Sequence, residues 1–122
     1  MITVRYEEYT NDFIRRHLDK CFTSLRCFED WFFELCDGKY EDKISIPNPD
    51  RTDIWGNGPS RMEVNDMWTR DKCYLVHMIS RDGVIIFSDG KHTNQQTHWN
   101  EEMKEFCRGM LQRKNAPTFN FG

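Results

Sequence analysis

Two apolar runs, Cys73-Tyr74-Leu75-Val76-His77-Met78-Ile79-Ser80 and Val84-Ile85-Ile86-Phe87-Ser88, flank the dipeptide Asp82-Gly83. Asp-Gly between β-branched runs is a strong local hairpin signal, because a tight turn needs a positive φ that glycine adopts without steric cost. The second run is apolar on both faces, which predicts a central strand covered on both sides. Downstream, Trp99, Met103, Phe106, Cys107, Met110 and Leu111 recur at helical spacing and predict an amphipathic helix over 97–114. Glu101 and Glu102 near its start and Arg113 and Lys114 near its end suit the helix dipole, and Pro117 blocks continuation. A hairpin followed by such a helix restricts the chain to an α+β fold.

The first half adds to that frame. Ile2, Val4 and Tyr6 alternate with polar residues, the period of a half-buried strand. Residues 13–22 read either as a helix behind an Asn11 cap or as a strand. The strand is preferred, because Phe22-Thr23-Ser24-Leu25 looks like a strand running into a helix cap. Ser24 caps a helix over 25–36, with Phe28, Trp31, Phe32, Leu35 and Cys36 on the buried side and Glu29, Asp30 and Glu34 opposite. Phe33 falls among the polar residues. Short strands are expected at Lys43–Ile46 and Arg61–Val64, around a Pro/Gly-rich loop at 47–60 that carries Ile54 and Trp55. The tail with Phe119 and Phe121 is expected to dock. The whole reads as one domain of 122 residues, a small antiparallel sheet of four to six short strands packed by the two helices.

Composition excludes several functions. The formal net charge is -3, so there is no basic excess to neutralise phosphates. Direct nucleic-acid binding is not expected; its single-stranded form would stack bases on Trp55 or Trp68. No segment approaches the apolar length of a membrane span, and Met1-Ile2-Thr3-Val4-Arg5 lacks the apolar core expected of a signal peptide. Five cysteines at scattered positions suit a reducing, cytoplasmic setting, where they serve as small apolar residues.

No reaction motif emerges, and no catalytic residue is assigned. Zinc sites announce themselves with ligand pairs two to four residues apart. The closest pairs here, Cys21 with Cys27 and His92 with His98, have five residues between them, so no metal or other cofactor is expected. Ser88, Asp89 and His92 lie close together but lack a nucleophile elbow. Asp89-Gly90-Lys91 is more simply a turn. The polar run from Ser88 to His98 nevertheless supplies an alternative ligand-binding or enzymatic loop, with Asp89, Lys91, His92, Asn94 and His98 as its candidate residues.

The leading expectation is a small intracellular binding protein without chemistry of its own. Between Glu29 and Asp42 stand six carboxylates, Glu29, Asp30, Glu34, Asp37, Glu41 and Asp42, against Lys39 alone, a local charge of -5. Such a patch would dock on a larger protein with a basic, nucleic-acid-binding surface and steer its association. Phe33 would anchor the contact, and Ile54 with Trp55 form a second candidate surface. A compact, acidic, motif-free domain of this size is similar in general character to phage and mobile-element inhibitors of host defence nucleases, anti-CRISPR proteins among them. That similarity is one of class and rests on no motif.

Overall fold

The computed structural model describes residues 1–10, 15–35, 44–50, 62–66, 72–89 and 98–115. Its elements run β1 (Ile2–Thr10), β2 (Arg15–Phe22), α1 (Leu25–Glu34), β3 (Ile44–Ser45), β4 (Met62–Asp66), β5 (Lys72–Arg81), β6 (Val84–Ser88), β7 (His98–Trp99) and α2 (Glu101–Asn115). All strand pairs are antiparallel, in the order β2-β1-β5-β4-β3, with β6 pairing β5 and β7. The fold is α+β. Among the described residues the sheet has five strands of five residues or more, within the four to six expected, extended by the two-residue pairings β3 and β7. Among the described residues, no helix is long and apolar enough to cross a membrane.

Residues 15–22 are strand β2, as the preferred reading had it; it pairs with β1 in a register that sets Ile2 opposite Phe22 and Glu7 opposite His17. The hairpin between β5 and β6 turns at Asp82 (φ 49°) and Gly83 (φ 84°), so both central residues are left-handed, as a type I′ turn requires. Ser24 caps α1 by accepting a 3.2 Å hydrogen bond from the Cys27 amide. Helix α2 starts later than the apolar spacing suggests. Asn100 is its cap, accepting from the Met103 amide at 2.9 Å, and Trp99 belongs to β7, opposite Phe87.

One buried cluster joins Ile2, Val4, Tyr6, Val76 and Ile79 of the sheet to Phe28, Phe32 and Phe33 of α1 and Met103, Cys107 and Met110 of α2. Phe33 is fully buried, which corrects its assignment to the polar face of α1. The reason is that α1 touches two neighbours. Phe28 meets Phe106 of α2 at 6.0 Å, and the Arg113 guanidinium of α2 lies 4.4 Å above the Phe33 ring. Strand β6 is less covered than its composition implied, with Val84 and Ile85 67% and 43% exposed.

Strand β5 positions everything that follows. One of its edges pairs with β1 along its length, and the other is shared. Lys72–Val76 pair with β4, whereas Met78–Arg81 pair with β6. His77 stands at the fork between them. It is also a bulge residue: Tyr6 pairs with Val76 and Arg5 with Met78, leaving His77 with no residue opposite on β1. A bulge bends the strand and re-aims its side chain. Here it lets Val76 and Ile79 both enter the core while His77 points away.

Candidate functional site

Strands alternate their side chains between faces. On β1, Ile2, Val4 and Tyr6 take the core face, so Glu7 and Tyr9 take the other. On β2, Leu18 and Phe22 pack on the core, so Arg15 and His17 share the face of Glu7. The register then lines up His17, Glu7 and the bulged His77 across three adjacent strands.

His77 is held on both ring nitrogens. Nδ1 lies 2.7 Å from Asp89 Oδ2 and Nε2 lies 3.0 Å from Glu7 Oε2. Asp89 is fixed in turn by its amide, which donates to the His77 carbonyl at 3.0 Å just where β6 leaves the fork. All three residues are buried, with exposures of 2% for Glu7, 4% for His77 and 3% for Asp89. A neutral imidazole carries one N–H, so satisfying both carboxylates takes one further proton within the cluster. Buried ionisable groups in such an arrangement cost stability unless every lone pair is met.

One lone-pair set is not met. Glu7 Oε2 accepts from the Tyr9 hydroxyl at 2.8 Å as well as facing His77. Glu7 Oε1, buried, has no hydrogen-bond partner; among the described residues Thr10 Oγ1 is the other such side-chain oxygen. Arg15 Nε comes within 3.0 Å of Oε1 but off its N–H direction, so it contributes charge rather than a hydrogen bond. His17 Nε2 lies 3.6 Å from the same oxygen, and its ring stacks on that of His77 at 6.1 Å and 23°. Burial pushes the Glu7 carboxyl up, yet hydrogen bonds from Tyr9 and His77, with the Arg15 and His77 charges, outweigh it and hold the group below its ordinary value. Tyr9 is raised, by burial first and then by its bond to Glu7.

Of the residues singled out in the sequence, Asp89 alone enters this cluster. There it is a buried hydrogen-bond partner of His77; the rest of the expected turn, Gly90 and Lys91, lies outside the described residues. His98 lies in β7, and Lys91, His92 and Asn94 fall outside the described residues. The acidic face of α1 is partly neutralised. Glu29 and Asp30 both accept from Arg113 Nη1, at 2.6 and 2.8 Å. Arg113 holds the Asp30 carboxyl below its usual value, with Arg26 adding to it. Glu34 is exposed, while Asp37, Glu41, Asp42, Ile54, Trp55 and Trp68 lie outside the described residues. With Phe33 buried, the described part of this face offers no aromatic anchor of the expected kind.

Glu7, His17 and His77 escaped the motif search because no two of them are close in sequence. One signal was present: His77 is the sole polar residue inside the run Tyr74 to Ile79, where burial demands a partner. Comparison with protein-family models, curated proteins and solved structures finds no match for this chain, so its chemistry is read from this geometry.

Proposed function

We propose that this protein is a binding domain for a small cation, received at Glu7 beside His77. The observation that carries the reading is the Oε1 atom of Glu7, a buried carboxylate oxygen that has the Arg15 charge at 3.0 Å but no hydrogen-bond donor among the described residues. A buried acceptor short of a hydrogen bond costs about 1–3 kcal/mol, and a cation bound directly to it would offset that cost. Charge balance agrees. Glu7 faces the site while Asp89 backs His77 from its other ring nitrogen, and the cation beside Glu7 is Arg15, a 61% exposed side chain whose guanidinium also lies 4.6 Å from the Tyr9 ring. The approach is open on the β2 side, since the His17 side chain is 56% exposed. The donors sit on paired strands and a bulge rather than on mobile loops, the placement that keeps a binding geometry fixed.

Isothermal titration calorimetry with zinc, magnesium, calcium and methylammonium chlorides, run in parallel on the wild type and on Glu7→Gln, tests the reading. At least one of these cations should bind one-to-one and saturably, and Glu7→Gln should weaken it tenfold or more. Failure of all four to saturate, or affinities unchanged in Glu7→Gln, overturns it.

A further inference from the structure

Resting on the cation-site reading above, we infer that the cation is a divalent transition metal held by Glu7, His17 and His77, with Asp89 as the group that orients His77. One ligand atom from each of the three residues lies within 4.8 Å of the other two. In a tetrahedral site with bonds of about 2.0–2.1 Å, ligand atoms stand roughly 3.3 Å apart. The triangle therefore closes by up to roughly 1.5 Å at its widest pair. His17 supplies that movement, since its exposed side chain sits on the edge strand β2.

The hydrogen bond on the other ring nitrogen of His77 supports the same assignment. Histidines that bind metals through one ring nitrogen commonly donate the other N–H to a carboxylate, which fixes the tautomer and the ring plane. His77 has that partner in Asp89 at 2.7 Å, and Asp89 is itself locked by its backbone bond to the His77 carbonyl. Nε2 is thereby turned towards Glu7, on the side where His17 Nε2 also lies. The Tyr9 hydroxyl, bonded to Glu7 Oε2, orients the carboxylate and leaves Oε1 as its unbonded oxygen.

The donor set also selects among cations. Two imidazoles with one carboxylate suit zinc and its first-row neighbours, whereas magnesium and calcium take oxygen ligands almost throughout. Three protein ligands leave a fourth position for water or an exchangeable anion, next to the Arg15 side chain.

Cobalt(II) chloride is the probe, because its visible absorption reports coordination number and ligand type. Titration of the wild type should give one equivalent bound, with the band pattern of a four- or five-coordinate nitrogen and oxygen site. His17→Ala, on the exposed edge strand, should bind at least tenfold more weakly while keeping the wild-type circular dichroism spectrum. Asp89→Asn should weaken binding by about 10- to 100-fold. Cys21→Ser with Cys27→Ser should change nothing. Binding that survives His17→Ala, or a thiolate charge-transfer band, overturns the assignment. Methylammonium binding that depends on Glu7, with no cobalt binding, would refute the metal and leave the cation site standing; absence of both removes the two together.

Discussion

Replacing Phe33 by alanine separates a core residue from a surface anchor by energy alone. The side chain is fully buried, with Phe32 at 6.2 Å ring to ring and the Arg113 guanidinium 4.4 Å above its face. Removing a buried phenylalanine costs about 3–5 kcal/mol, the lost transfer energy plus the cavity left behind. Loss of the cation–π contact adds about 0.5–2 kcal/mol, since Arg113 is only partly exposed. Domains of ordinary stability hold about 5–15 kcal/mol, so this one change removes a large share. With a urea m-value of about 2 kcal/mol per molar, the middle of the usual range, the midpoint should fall by roughly 2–3.5 M. Phe33→Leu keeps most of the volume and should lose only about 1–2 kcal/mol. A surface anchor would behave otherwise, because exposed substitutions stay within about 0.5 kcal/mol. A urea midpoint for Phe33→Ala within about 0.3 M of the wild type would refute the placement of this ring in the core.

Two further outcomes follow from the charges and thiols. Asp30 is held below its ordinary value by Arg113 and Arg26, so its contribution is present above the unfolded carboxyl value of about 3.9 and disappears as pH falls through the lower folded one. Asp30→Asn should flatten the acid limb of the stability–pH curve in low salt, and an unchanged limb would contradict the pairing. Cys27 is exposed and lowered by hydrogen bonds from Ser24 and Thr23, whereas burial pushes Cys107 up to about 12. A disulfide reagent should therefore label Cys27 in the native protein and Cys107 only after unfolding; mass-spectrometric detection of early Cys107 labelling would count against its burial.

Local rules carried the frame of this fold. Asp82-Gly83 marked the hairpin and Ser24 marked the start of α1, because turn and cap chemistry are decided within a few residues. The start of α2 was misread for a related reason. Trp99 fits the apolar stripe by spacing, but the Asn100 amide bonds the Ile86 carbonyl and its side chain caps the Met103 amide, so the helix begins beyond it. Phe33 was misplaced because one helical stripe was assumed where the sheet and α2 together bury two. The Glu7–His17–His77 cluster depends on two strand registers and one bulge, none of them a local property. Sequence could flag His77 as a polar residue in an apolar strand, but not name its partners.

Seventy positions separate Glu7 from His77, and twelve more lead to Asp89. The cluster is thus built on the pairing of β1 with β5, a contact whose loop-closure entropy must be met before any of its bonds form. During synthesis, at about 5–20 residues per second, β1 and β2 emerge well before their partner exists. A growing chain has the histidine of β2 and the glutamate of β1 side by side, but no imidazole to complete the triangle until β5 is laid down. A cation bound as proposed would therefore require the finished pairing of β1 with β5, and its binding would distinguish the mature protein from its own incomplete chains.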